Sequence, residues 1–304
     1  REYFMKIISF GSMNIDKVYQ VENFVLPGET ILADGIQLNV GGKGLNQSVA
    51  AARAGACVVH AGAVGEDGAM LTDFMKDAGV DISQVQVLPG QSGHAIIQVD
   101  STGHNCIIVY GGTNRDFTKE YIDKILTEKG EPGDVVLMQY EINEVPYMIR
   151  RAHELGLKVA FNPSPIPKSM EDLPLDCVDY FIVNEVEGAA IAGIQEANPD
   201  YKKVLEILSE KYPAAVIVLT LGDAGVLCKK GEETYTHDIY RVKAVDTTAA
   251  GDTFCGYFLA GLCAGEDIPK CLEMASAASA IAVSRPGAAP SIPLYQEVEE
   301  FLKE

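Results

Sequence analysis

The chain has 304 residues, 47% of them hydrophobic, which is enough to build a large self-sufficient core, and its net charge at pH 7 is −19. That charge argues against a nucleic-acid partner, and it requires any phosphate ligand to be held by local amides, a metal ion or a few placed cations. No apolar run reaches the roughly 20 residues that span a bilayer, so no membrane partner is expected and a cytoplasmic protein is the default reading.

The opening residues REYFMKIISF have neither a basic region ahead of a long apolar stretch nor a small-residue cleavage site; no secretory signal is expected, and Met5 is a candidate start. Short apolar runs then recur along the chain at 6–10 (KIISF), 58–64 (VVHAGAV), 135–139 (VVLMQ), 158–162 (KVAFN), 180–184 (YFIVN) and 215–220 (AVIVLT), with helical stretches between them. Such alternation predicts a parallel sheet covered by helices. Asn14, Glu141, Asn162, Asn184 and Thr220 stand at or just beyond the ends of these runs. Parallel sheets bind ligands beyond their strand C-termini, so these residues are candidates for one cleft, although turns are polar in any case.

Two segments depart from the pattern. Residues 31–40 (ILADGIQLNV) alternate as a half-buried strand does, and 94–110 (HAIIQVDSTGHNCIIVY) reads as two strands around a turn at Asp100–Gly103. Together they predict a small antiparallel sheet beside the main one, placed to act as a lid. With no internal repeat or linker, residues 1–304 read as one domain with inserted lid segments at about 12–38 and 93–113. The seven cysteines form no CxxC pair, and buried free thiols in a reducing compartment are expected.

In chain order, the first chemical motif is NVGGKGLNQSVAAARAGA (39–56), a glycine-rich turn opening an alanine-rich helix that closes at Gly55. Gly44 follows Lys43 where a Walker A loop needs Ser or Thr, and the glycine spacing is not GxGxxG. Glycines here let the backbone press against a small polar ligand, and Asn46 can both donate to and accept from hydroxyls; a tight strand-to-helix turn fits equally well. The second motif is AVDTTAAGDTFCGYFLAGLCAG (244–265), a helix whose apolar positions Phe254, Phe258 and Leu262 recur every four residues. Ala249, Ala250 and Gly251 leave the first-turn amides unobstructed for a phosphoryl oxygen. Asp252 lies in that turn, where an acidic residue also complements the helix dipole, so its role stays open on the residues alone.

GGKGLNQSVAAARAG (41–55) and DTTAAGDTF (246–254) resemble the two signature segments of the ribokinase, or PfkB, family of sugar and nucleoside kinases, in that family's order and spacing. The resemblance runs along nearly the whole chain through GSMNID (11–16), PGET (27–30), LMQYE (137–141), FNPSP (161–165), VNEVE (183–187), LTLGDAG (219–225) and SRPGAAPSIP (284–293). It implies an α/β, ribokinase-like three-layer α/β/α Rossmann-like domain with a mainly parallel central sheet and a small β-sheet lid.

By that resemblance, Asn14, Asp16, Gly42, Lys43, Asn46 and Glu141 would hold a sugar through its hydroxyls, a contact set that rejects analogues lacking them. Asp252 would take the proton from the attacking hydroxyl while the amides of Ala249, Ala250 and Gly251 stabilise the transferred phosphoryl group of ATP. Asn184 and Glu187 match the family's NxxE motif, which acts on Mg2+ through ordered water, and Asn184 also suits a helix cap. Thr220, Gly222 and Gly225 match its nucleotide-binding strand and turn, with the alanine-rich helix around 275–282 as a wall of the adenine site. Asp246, Thr248, Ala282, Gly287 and Ser291 match positions that bind an activating K+. Pairing of two lids into a homodimer is a further implication, consistent with exposed strand edges. One departure is Tyr257, where the family places a small residue; it reads as a core filler.

Phosphorylation of D-ribose at its 5-hydroxyl is the leading expectation. The same machinery could serve 2-deoxyribose, another furanose or hexose, or a nucleoside. A catalytically silent ligand-binding relative is the alternative from another class, and a nicotinamide-linked oxidoreductase lacks its GxGxxG fingerprint.

Overall fold

The computed structural model describes residues 5–196 and 198–303. The strands are β1 (Ile7–Phe10), β2 (Asn14–Gln20), β3 (Gly35–Gly41), β4 (Val58–Val64), β5 (Asp81–Val87), β6 (Gly93–Val99) and β7 (Asn105–Tyr110). They continue as β8 (Val135–Gln139), β9 (Lys158–Asn162), β10 (Tyr180–Asn184), β11 (Val216–Thr220), β12 (Val226–Lys230) and β13 (Glu233–His237). The helices are α1 (Lys43–Arg53), α2 (Ala69–Asp77), α3 (Lys119–Lys129), α4 (Val145–Glu154), α5 (Glu185–Ala192), α6 (Tyr201–Lys211), α7 (Ala250–Cys263), α8 (Ile268–Val283) and α9 (Tyr295–Phe301).

Six continuous apolar runs become β1, β4, β8, β9, β10 and β11, because a strand covered on both faces needs no polar alternation. In β8, Val135 and Leu137 enter one core with α1, α7 and α8, while Val136 and Met138 enter a second core with α3, α4 and α6. The result is a three-layer α/β/α arrangement around a sheet of order β13-β12-β11-β10-β9-β8-β1-β4-β5, parallel from β11 to β5. β12 and β13 append antiparallel at one edge, where half-exposed strands lack the apolar run that marks the others.

A second, four-stranded sheet has the order β3-β2-β6-β7. Its outer pairs are antiparallel, but β2 and β6 pair in parallel, which corrects the expected antiparallel sheet. The reason is topological: β4 and β5 of the main sheet intervene between β3 and β6, so the chain re-enters the small sheet in the direction of β2.

The cysteines divide. Cys228, Cys255, Cys263 and Cys271 are buried as expected, whereas Cys57 and Cys106 are exposed and Cys177 is half-buried; all seven are free thiols. Among the described residues no helix is long and apolar enough to cross a membrane. Tyr257 is 2% exposed, and its hydroxyl donates to the Pro293 carbonyl at 2.8 Å, so it packs the interior and also pins the C-terminal segment. Tyr257→Phe keeps the ring and deletes that bond; it is expected to cost about 1 kcal/mol in urea unfolding, and an unchanged midpoint would remove the bond from the stability account.

Candidate active site

The glycine turn ahead of α1 is required by the backbone. Gly42 caps the helix at φ 95°, and a Cβ there would lie 2.9 Å from the Asn14 amide nitrogen and the Ser12 carbonyl oxygen. The first turn of α1 therefore nests against the β1–β2 connection, where the Leu45 amide donates to the Ser12 carbonyl at 2.9 Å. The Lys43 amide donates to Glu141 Oε2 at 3.1 Å, and the Ser12 hydroxyl donates to the same oxygen. Asn14 is held from behind: its Oδ1 accepts from Asn114 Nδ2 at 2.8 Å, and Asn114 in turn accepts from the Met13 amide at 3.0 Å. On β2, Asp16 packs its carboxylate directly over Gly41, where a Cβ would come within 2.2 Å of Oδ2. Burial, aided by the negative charge of Glu141, pushes the Asp16 carboxyl up to about 7.

The helix α7 starts at Ala249, whose φ of 62° turns the chain sharply into the helix. Gly251 is exposed, and a Cβ added to it would meet nothing within 4 Å. Among the described residues its amide faces no acceptor. The Ala250 amide, by contrast, donates to the Thr247 carbonyl at 3.3 Å, which corrects the expectation that all three first-turn amides are free.

Asp252 is 7% exposed and accepts two side-chain hydrogen bonds from α1, from Asn46 Nδ2 to Oδ2 and from Gln47 Nε2 to Oδ1, both at 2.9 Å. What brings the two helices so close is Gly256, one turn further along α7, where a Cβ would lie 2.4 Å from that of Ala50. The Asn46 Oδ1 is buried with no hydrogen-bond partner among the described residues, which leaves a free acceptor at this point. Lys43 completes the group: Asp252 foremost, with Glu141 and Glu187, raises its ammonium against the opposing effect of burial.

On the other side of α7 lies a cavity of about 670 Å³ lined by Thr220, Gly222, Gly225, Ala250, Gly251 and Ser279, among others. It is large enough for a nucleotide. The three sequence-predicted nucleotide residues Thr220, Gly222 and Gly225 thus meet the first turn of α7 in one space. Asn184 and Glu187 do not line it. They form a reciprocal capping box on α5, in which Asn184 accepts from the Glu187 amide at 2.8 Å and Glu187 Oε2 accepts from the Asn184 amide at 3.0 Å.

Asp246 joins two turns, accepting from the Thr248 amide at 2.9 Å and the Gly287 amide at 3.0 Å. Burial alone would raise its carboxyl, but these hydrogen bonds outweigh burial and hold it below the ordinary value. Ala282 and Ser291 are both buried; the Ala282 carbonyl accepts from the Arg285 amide at 3.1 Å, and the Ser291 hydroxyl donates to the Ala288 carbonyl at 2.8 Å.

Ser12, Gln47, Asn114 and Gln139 were not singled out by sequence. Ser12, Gln47 and Gln139 lie within GSMNID (11–16), GGKGLNQSVAAARAG (41–55) and LMQYE (137–141), and none has a local feature that marks its partner in the fold.

Taken together, a buried carboxylate is held by side-chain amides of α1 beside the open start of α7, an arrangement suited to moving a hydroxyl proton during transfer of a phosphoryl group. Comparison with known proteins agrees. The profile of the "pfkB family carbohydrate kinase" matches residues 5–294. The ribokinase of Haemophilus influenzae is 32% identical, over 96% of this chain and 97% of its own length, and that of Bacillus subtilis 35%, over 97% and 99%. A solved structure of Arabidopsis thaliana ribokinase complexed with ribose and ATP superposes with a TM-score of 0.86 at 28% identity, covering 99% of both chains.

The raised Asp16 carboxyl has a sign that can be tested. Its folded value of about 7 exceeds the ordinary 3.8, so folding takes up a proton between those values, and the cost of the ionised, buried group grows as pH rises through that window. Asp16→Asn is expected to stabilise the ligand-free protein by about 2 kcal/mol at pH 8 and by much less at pH 4. Denaturant titrations at both values check this; an equal difference at both would show that Asp16 ionises normally.

Proposed function

The chain belongs to the pfkB family of carbohydrate kinases, and from that premise we propose that it transfers the γ-phosphoryl group of ATP to the 5-hydroxyl of D-ribose, yielding D-ribose 5-phosphate and ADP. The observation that carries this reading is Asp252, buried in the first turn of α7 with hydroxyl-binding residues on one side and the open Gly251 amide on the other. Asn14, Asp16, Lys43, Asn46 and Glu141 orient the sugar. Asp252 accepts the proton of the 5-hydroxyl as that oxygen bonds to the γ-phosphorus. The bond from phosphorus to the β–γ bridging oxygen breaks, ADP leaves, and Asp252 returns its proton to solvent. The Gly251 amide and the α7 dipole stabilise charge on the phosphoryl oxygens, and Lys43 adds a cation on the sugar side.

A Mg2+ ion on the ATP phosphates would supply charge neutralisation. Glu187 fits such an ion through water, because its Oε2 is already engaged by the Asn184 amide and by Asn162 Nδ2. A K+ ion would take oxygen donors from Asp246, Thr248, Ala282, Gly287 and Ser291, and its charge would steady the turn that leads into α7, where Asp246 already joins Thr248 to Gly287. Seven free thiols suit a reducing, cytoplasmic setting.

The small sheet acts as a lid and pairs with its counterpart in a homodimer. Its edge strand β7 exposes Ile107, Ile108, Val109 and Tyr110, and β3 exposes Ile36 and Leu38, a row of apolar side chains beside unpaired backbone. Sedimentation is expected to give a dimer at micromolar protein and a monomer for Ile108→Lys; a wild-type monomer would remove the dimer.

An ADP-release assay over pentoses, 2-deoxyribose, hexoses and nucleosides, each with and without K+, tests the substrate. Ribose is expected to give the highest kcat/KM, with K+ raising it. Turnover of another acceptor without ribose would overturn the substrate, and no turnover of any would favour a silent ligand-binding protein.

A further inference from the structure

Gln47 lies wholly inside the protein and spends every hydrogen-bonding group it has. Its Nε2 donates to Asp252 Oδ1 at 2.9 Å and to Asn162 Oδ1 at 3.0 Å, and its Oε1 accepts from Gln139 Nε2 at 2.7 Å and from the Cys255 thiol at 3.5 Å. Asn162 passes the chain onward, donating to Glu187 Oε2 at 3.2 Å and to the Ile182 carbonyl at 2.9 Å. One amide therefore joins α1, α7, β8 and β9, and through Asn162 reaches the capped start of α5.

The partners leave Gln47 a single orientation. Only its nitrogen can face the Asp252 carboxylate, and only its oxygen can receive the Gln139 amide, so a flip would create two repulsive contacts at once. With Oδ1 of Asp252 held in this interior network, rotation of the carboxylate is blocked. The other oxygen, Oδ2, stays beside Asn46, whose own buried Oδ1 has no hydrogen-bond partner among the described residues.

We infer that Gln47 is a positioning residue for the phosphoryl-transfer reaction, anchoring Asp252 Oδ1 so that Oδ2 is presented to the sugar hydroxyl. The inference rests on the kinase reading above. It assigns Gln47 no contact with sugar or nucleotide, so its loss acts on the rate of transfer and leaves binding in place. An interior amide that merely filled space would, when replaced by a side chain of like volume, leave kcat unchanged.

The test compares Gln47→Met, which keeps length and removes the donors, with Gln47→His, whose ring N–H can replace the bond to Asp252. A third variant, Gln139→Met, frees the far end of Gln47 without touching Asp252. Steady-state ADP release is measured with the best acceptor the wild type turns over, and each variant is expressed relative to the wild type. Gln47→Met is expected to lose about 10- to 100-fold in kcat with sugar KM within about threefold, Gln47→His to recover part of that loss, and Gln139→Met to fall between. A Gln47→Met protein that unfolds like the wild type yet keeps kcat within about twofold would overturn the inference. If that variant proves unstable, an unchanged kcat for Gln139→Met together with no gain for Gln47→His does the same. Failure of the wild type to act on ribose bears on the substrate assignment and leaves these ratios readable on another acceptor.

Discussion

The close packing of α1 against α7 at Gly256 is the constraint on which the site depends. With a Cβ there, the helices would collide at Ala50, at the Ala51 amide nitrogen and at the Gln47 carbonyl oxygen. Because they touch, two consecutive amides of α1 reach both oxygens of Asp252 from a single helix. α1 is itself tied down at both ends, by the Gly42 turn against β1–β2 and by Arg53, whose guanidinium donates to the carbonyls of Ala289 and Ile292. The first turn of α1, Asp252 and the turn that carries Ser291 are thus tied together through one helix.

Electrostatics follows from that geometry. A chain of net charge −19 has no global attraction for a nucleotide, so the local arrangement must supply it. At the first turn of α7 the exposed Gly251 lines the cavity, so its amide and the positive end of the helix dipole face that space beside the buried Asp252. Asp252, Glu141 and Glu187 gather negative charge around Lys43. Burial, with the negative charge of Glu141 beside it, raises the Asp16 carboxyl, whereas the carboxylates around Lys43 favour its charged ammonium.

Much of this is legible in the sequence, for physical reasons that differ by region. Strands buried on both faces announce themselves as apolar runs, and VVLMQ, KVAFN and YFIVN coincide with β8, β9 and β10. β2, β12 and β13 do not, since half-exposed strands mix charges with apolar residues. Asp252 is readable as a residue at a helix start, but its environment is not: Gln47, Gln139 and Asn162 meet beside it only because two strands, β8 and β9, converge with α1 and α7. Asn184 shows the converse. Its local signature, Asn followed three residues later by Glu, is a helix cap, and that is the role its hydrogen bonds display. The parallel pairing of β2 with β6 depends on connectivity through the main sheet, which no local pattern encodes.

The central claim is that Asp252 removes the hydroxyl proton during transfer, and Asp252→Asn tests it most directly by keeping size and polarity while deleting the base. ADP release and calorimetric ATP binding are measured on the same preparation. The account predicts a loss of about 1,000-fold or more in kcat with ATP affinity within about threefold of the wild type. A variant that retains most of its turnover would contradict it.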